Sequence, residues 1–331
     1  MKRLLALLLC GLLAVTCSKN DGSSKDDENI APDKDFPQLP DSDDVCSDMN
    51  DNDIVFKEYC YDNFDSNKDG ILSTSEALAV TSINLEGSTV NNLKGIEHFQ
   101  NLESLNCKNC GELQSADLSH NIKLTRIGNS TFEGCISLTN ISISDRVTEI
   151  GDSAFANCSA LGNITIPDSV TAIGRAAFFD CRSLFSITIP DSVTEIGDTI
   201  FSGCTSLISV KMSNNITAIA YAAFYGCSYL TNITIPDSVT TIEEVAFYDC
   251  ISLRNITIPE SVTKIETEAF YGCTNLSPVY CKPITPPQLD RDVFDANDFT
   301  QIIYVPTESV SAYQSASGWS DYSFRIVGYD F

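Results

Sequence analysis

The chain has 331 residues and a mass of 36.1 kDa, is 43% hydrophobic and has a mean hydropathy of -0.01, so it can bury a sizeable core. Asp and Glu number 45 against 20 Lys and Arg, a net charge of -25 that argues against nucleic acid as a partner, because phosphates would repel it. With 2 histidines a His-based triad or a multi-His metal site is disfavoured, and no apolar run reaches the roughly 18 residues that a membrane-spanning helix needs.

Lys2 and Arg3 precede an apolar stretch from Leu4 to Val15, which ends in Thr16-Cys17-Ser18. A basic start, an apolar core too short to span and a small residue at the break describe an export signal over residues 1–17. Leu13-Ala14-Val15-Thr16-Cys17 resembles a bacterial lipoprotein signal, which implies that Cys17 is lipidated and becomes the mature N-terminus; the other reading is an ordinary secretory signal. Lys25-Asp26-Asp27-Glu28 resembles the Lys-plus-acidic tag of surface lipoproteins. Together the two resemblances imply lipid anchoring in the outer membrane, facing the exterior. Residues 18–50, rich in Asp, Ser and Asn and broken by Pro32, Pro37 and Pro40, read as an acidic linker with little to bury.

The segment 51–80 holds a twelve-residue calcium-loop pattern of the EF-hand type, Asp65 to Glu76. Asp65, Asn67 and Asp69 alternate as side-chain oxygens, and Gly70 permits the sharp turn at position six. Ile71 can offer its carbonyl, Ser73 can ligate directly or through water, and Glu76 can close the site with both oxygens. Ile54, Val55, Phe56, Tyr59, Cys60 and Phe64 predict a helix before the loop, and Ser75 to Val80 a short one after it. The pattern predicts bound calcium, against the alternative of an Asp/Asn-rich turn without metal. Only one copy occurs, so a structural clamp is expected instead of a switch.

The strongest pattern is a repeat. Phe132, Phe155, Phe178, Phe201, Phe224, Phe247 and Phe270 are spaced by 23 residues without a slip. Cysteine follows each at +3 (Cys135, Cys158, Cys181, Cys204, Cys227, Cys250, Cys273) and leucine at +6 (Leu138 to Leu276). Paired β-formers such as Ile164/Ile166 and Ile233/Ile235 come next, and an isoleucine series from Ile127 to Ile265 completes the unit. The expected fold is a β-rich repeat solenoid, a leucine-rich-repeat array with 23-residue coils, preceded by the small helical EF-hand-like segment and closed by a C-terminal cap. Ile187-Thr188-Ile189-Pro190-Asp191-Ser192-Val193 resembles the BspA-type leucine-rich repeats of bacterial cell-surface proteins. The likeness covers residues 129–276 closely, 81–128 as irregular repeats, and 277–331 as a capping segment. It implies adhesion to host or matrix ligands.

The ladder cysteines read as buried thiols, since equivalent cysteines on stacked coils point the same way and cannot bond. Cys107 and Cys110 fall in a repeat coil, so packing is preferred to redox or zinc roles. Cys46 and Cys60 are the one pair to watch for a bond, and the sequence leaves open whether they form it.

The residues flanking each front isoleucine should face solvent: Asn140/Ser142, Asn163/Thr165, Ser186/Thr188, Ser209/Lys211, Asn232/Thr234 and Asn255/Thr257. Apart from Lys211 they form an uncharged hydrogen-bonding stripe, either a contact surface for protein or glycan or small β-formers that keep a sheet soluble. A second track of Phe179, Tyr225, Tyr248 and Tyr271, with Tyr221 and Tyr229 nearby, either anchors a partner or lies half-buried on the outer bend. Triplets such as Asp168-Ser169-Val170 and Asp237-Ser238-Val239 look like an O-glycosylation motif of some anaerobes, or are repeat turns. No nucleophile stands with a base, so no enzyme is expected. The sequence therefore predicts an adhesive surface protein that binds an extracellular or host protein or a surface glycan. The alternative is a structural or glycan-capturing accessory subunit without adhesin activity.

Overall fold

The computed structural model describes residues 44–47, 49 and 54–331. The expected signal, Cys17 and nearly all of the linker lie outside these residues. Helices α1 (Ile54–Phe64) and α2 (Thr74–Ala79) come first and carry the loop between them. The chain then winds into a β-solenoid of about 11 turns with coils of about 23 residues. No helix among the described residues is long and apolar enough to cross a membrane.

A regular coil has a front strand, a turn, a back strand and a return arc. Front strands Ser186–Thr188, Ser209–Lys211 and Asn232–Ile233 pair parallel and in register, Ser186 beside Ser209 beside Asn232. The turn after the first and third starts at proline: the Val193 amide donates to the Pro190 carbonyl and the Val239 amide to Pro236, both at 3.0 Å; after the second, Ser213 takes the proline's place. Back strands Glu149–Ile150, Ala172–Ile173 and Glu195–Ile196 pair in the same way. The isoleucine series is thus a second row of strands, and each isoleucine is packed inward.

Between the rows runs a stack of phenylalanines. Ring centroids from Phe155 and Phe178 to Phe247 and Phe270 are 5.0 to 5.7 Å apart, and every ring is fully buried. The cysteines explain how the coils lock together. Cys181 Sγ donates to the Phe155 carbonyl, Cys204 to Phe178 and Cys250 to Phe224, each at 3.1 Å and each one coil back. The same carbonyl accepts the amide of its own coil's cysteine, Cys158 to Phe155 at 3.1 Å. Both lone pairs of a buried carbonyl are therefore satisfied. Burial raises the Cys181, Cys204 and Cys250 thiols well above the ordinary value and pushes Cys135 up to about 12. The ladder also starts earlier than the 23-residue period shows. Cys110 donates to the Leu85 carbonyl at 3.0 Å, and Cys107 takes the phenylalanine's place as acceptor for Cys135.

The array is less uniform than its sequence. No strand forms at the expected Ile164/Ile166 site, although both isoleucines are buried between exposed Asn163 and Thr165. Gly162 stands there where every other coil carries a side chain, which weakens the strand's start. The back row breaks between Glu195–Ile196 and Ala218–Ile219. Before the break, Gly151, Gly174 and Gly197 let the coils approach closely: a Cβ on Gly174 would lie 2.6 Å from the Asp152 nitrogen. Ala220 takes this place in the next coil, and Glu243 and Glu266 in the two after it, where the back strands pair again.

Aromatic groups close the ends. Phe56 of α1 and Phe64 pack on Phe99, at 6.3 and 5.6 Å between centroids. At the other end, the segment expected as a cap adds front strands Ile303–Pro306 and Ile326–Tyr329, then covers the last coil with helix α3 (Val310–Ser315) and Trp319. Trp319 Nε1 donates to the Pro287 carbonyl at 2.8 Å, and the Tyr313 hydroxyl donates to Pro283 at 2.6 Å.

This packing has two measurable consequences. Phe201→Ala should cost about 3–5 kcal/mol in guanidinium unfolding, because a fully buried ring in a stack leaves a cavity that its rigid neighbours cannot fill. Thiols whose acidity is suppressed by folding contribute stability in full below the ordinary cysteine pKa of about 8.5, and that contribution is lost as pH rises toward the folded values. Unfolding midpoints should hold from pH 7 to 8 and fall steeply above about pH 9; a flat profile would contradict a buried thiol ladder.

Candidate functional site

The front face gathers the predicted stripe. Asn163, Thr165, Thr188 and Lys211 line one open groove of about 990 Å³, together with Ser186, Ser209 and Phe185. Phe185, 48% exposed, has a ring that no feature of the repeat marked in advance. Lys211 stands beside Thr188 in register. Asp191 on the groove's edge is held below the usual carboxylate range by the Asn214 amide, then by the Asn214 side chain and the charge of Lys211. Asn232, Thr234 and Asn255 continue the stripe as exposed residues, and Thr257 is half-buried.

Beyond Thr257 the stripe changes chemistry. Register carries Thr257 to Tyr280, Tyr304 and Val327 on successive front strands. Tyr280 and Tyr304 stack at 5.4 Å, and Tyr329 lies 5.0 Å from Tyr304 and 5.1 Å from Phe331. Tyr329 and Phe331 are 43% and 51% exposed, so an aromatic patch ends the hydrogen-bonding face. The capping segment lacks the 23-residue spacing, so sequence alone offers no register that would place these rings on the stripe. A second open groove, about 800 Å³, lies toward the other end, lined by Asn91, Gln114, Asp117, Asn140 and Ser142. Lys94, Glu97 and His120 also line it, and the Ser119 hydroxyl lies 3.0 Å from His120 Nδ1.

Tyr225, Tyr248 and Tyr271 do not join the front face. They stack at 4.9 Å on the return arc, with Tyr225 exposed and the other two half-buried. In two of the Asp-Ser turns the serine is engaged by the backbone: Ser169 Oγ donates to the Val147 carbonyl and Ser238 Oγ to Ile216, both at 2.6 Å, whereas the buried Ser192 Oγ has no partner among the described residues.

In the loop from Asp65 to Glu76, side-chain oxygens hold the turn. Asp65 accepts the Lys68 amide at 2.7 Å and the Gly70 amide at 2.9 Å; Asn67 accepts the Asp69 amide and Asp69 the Ile71 amide, each at 2.9 Å. Gly70 takes φ +83°, a left-handed conformation suited to glycine. Glu76 binds the amides of Ser66 at 2.8 Å and Ser73 at 3.0 Å and caps α2 in reciprocal contact with Ser73. Desolvation pushes the Glu76 pKa up, but these bonds outweigh it and bring it down to about 2. Among the described residues, no three His, Cys, Asp or Glu side chains gather as a metal cage. The loop thus has an oxygen donor set turned mainly toward its own amides.

The profile described as BspA type Leucine rich repeat region matches residues 55–184, 100–229, 148–277 and 194–313. No curated protein matches the chain. Among solved structures, it is similar to a leucine-rich repeat protein from Bacteroides ovatus, at 28% identity and a TM-score of 0.58, over 70% of this chain and 61% of that one. This chain therefore spans less than two thirds of that protein. A leucine rich cell surface protein from Faecalibacterium prausnitzii aligns at 24% identity and a TM-score of 0.38 over 61% of this chain and 79% of that one. A leucine rich repeat protein of T. pallidum aligns at 28% and 0.40 over 55% and 76%.

The Glu76 contacts set a pH dependence. A carboxylate whose folded pKa is depressed contributes stability above its ordinary value of about 4.5, which is lost as pH falls toward about 2. Wild type and Glu76→Gln should therefore differ in thermal midpoint at pH 7 and converge between pH 4.5 and pH 2. Equal midpoints at pH 7 would show that the capping bonds carry no net stability.

Proposed function

The chain belongs to the BspA-type leucine-rich-repeat family, and on that premise we propose that it is a lipid-anchored surface protein whose front face binds an extracellular protein or glycan in adhesion to host or matrix. The observation that carries this reading is the repetition of the face. Small polar Asn, Ser and Thr flank each front position, in register from Ser186 to Asn232 with Lys211 and Phe185 in one groove, and a second in-register run from Thr257 leads into an aromatic patch. Small polar groups supply hydrogen bonds with little side-chain entropy to lose, and rings supply anchoring area. Fixed backbone spacing presents both without rearrangement. The anchor rests on Cys17 and its preceding apolar segment. Lipid labelling should be abolished by Cys17→Ala, and a chain that stays membrane-bound after that change would contradict the anchor.

The oxygen donors at Asp65, Asn67 and Asp69, the Ile71 carbonyl, Ser73 and Glu76 match what calcium requires of a single loop. Their role here is a clamp that stiffens the junction between the acidic tether and the first coil. Titration of the purified chain by calorimetry should show one calcium site, with binding lost in Asp65→Ala; heat signals unaltered by that change would contradict the site.

The binding reading is tested by presenting the purified chain to matrix proteins and to a glycan array. Capture of one class is expected, with Tyr304→Ala or Lys211→Glu weakening it by about tenfold or more, as for hot-spot residues. Binding that ignores both changes would place the contact elsewhere. Binding to neither class would leave the accessory-subunit reading.

A further inference from the structure

Cys46 and Cys60 lie outside the thiol ladder, and we propose that they form a disulfide which fastens the end of the tether to α1 and the loop beneath it. Both are fully buried, and their thiols are in mutual hydrogen-bond contact. The contact is arranged by bonds that involve neither sulfur. Tyr61, next to Cys60, donates its hydroxyl to Asp44 at 2.8 Å, and Asp44 accepts the Cys46 amide at 3.1 Å and the Leu72 amide at 3.3 Å. The Val45 amide donates to the Leu72 carbonyl at 3.0 Å. Residues 44–46 therefore lie against α1 on one side and against the eighth position of the loop on the other, with the sulfurs already together. The thiols of the regular coils are held differently: each is aimed at a carbonyl one coil back. Cys107 and Cys110 also have their thiols in contact, but Cys110 Sγ is at the same time committed to the Leu85 carbonyl at 3.0 Å. Cys107 and Cys110 serve that ladder as acceptor and donor.

The bond forms by exchange with an external disulfide, either glutathione disulfide or a protein oxidant of the thioredoxin type. One cysteine thiolate attacks it, releases one thiol and leaves a mixed disulfide; the second thiolate displaces the other thiol and closes the protein bond. Two protein thiols give up two protons and two electrons, which leave on the two released thiols. The Cys46 contact and burial hold the folded Cys60 thiol protonated, so exchange belongs to folding and not to the finished fold. Once formed, the bond carries a pull on the tether through covalent structure instead of through a few hydrogen bonds. The occurrence of the bond in the cell rests on the export reading; its formation in a test tube does not.

The full chain is unfolded under reducing conditions, refolded in a glutathione redox buffer, alkylated, and digested without reduction. Mass spectrometry should find a peptide linking Cys46 to Cys60, with Cys135, Cys158, Cys181, Cys204, Cys227, Cys250 and Cys273 all alkylated. Recovery of Cys46 and Cys60 as alkylated residues would overturn the proposal, as would linkage of either one to a ladder cysteine. Cys60→Ser should leave Cys46 alkylated and the ladder unchanged. Should that variant not fold, the wild-type chain decides the question alone. A bond that forms in the test tube but is missing from the chain isolated from cells supports the pairing and contradicts export to an oxidising compartment.

Discussion

From Phe132 to Phe247 each repeat phenylalanine carbonyl accepts two hydrogen bonds, one from the cysteine amide of its own coil and one from the cysteine thiol of the next. The second bond ties neighbouring coils at one fixed height, and the ring stack beside it fills the space between the two strand rows. Because each coil buries its apolar residues only against its neighbours, register must be kept along the whole array. Thiol and ring together keep it. A serine in the cysteine position would preserve a donor but lose apolar volume, and a leucine would fill the volume but lose the donor. This dual demand accounts for so many reduced cysteines on one rung.

A scaffold this regular places its chemistry through departures from the repeat. Lys211 brings charge into an uncharged row, Phe185 brings a ring to the groove edge, and Tyr280 and Tyr304 replace threonine where the front row enters the cap. The back row departs as well: its glycines give way to Ala220 where the sheet breaks. The chain's large negative charge belongs elsewhere, since acids are densest in the acidic N-terminal segment and the start of the Asp65–Glu76 loop. The front stripe presents hydrogen bonds and rings with little charge.

Much of this was legible in the residues. The 23-residue spacing gave the coil, the inward phenylalanines, the buried thiols and the alternation of buried isoleucine with exposed Asn and Thr. The helices on either side of the loop came from apolar spacing; Ser73 and Glu76, which the sequence offered as loop ligands, turn out to form the capping box of α2. Three things were hidden. Nothing in the period tells that the isoleucine series makes a second row of strands, because a two-residue strand is too short to show alternation. The loss of the strand at Ile164 and the break before Ala218–Ile219 interrupt rows that the 23-residue spacing makes look uniform. The aromatic patch needed the register of the cap, where coil length departs from 23.

The most direct measurement is the accessibility of the ladder thiols. The intact chain, never reduced, is exposed to a small maleimide first in native buffer and then in guanidinium. Cys110, Cys135, Cys158, Cys181, Cys204, Cys227, Cys250 and Cys273 should stay silent in the native state and all react once the chain is unfolded. Native labelling of these residues, or failure to label after unfolding because they are bonded to one another, would contradict the thiol ladder on which the solenoid depends.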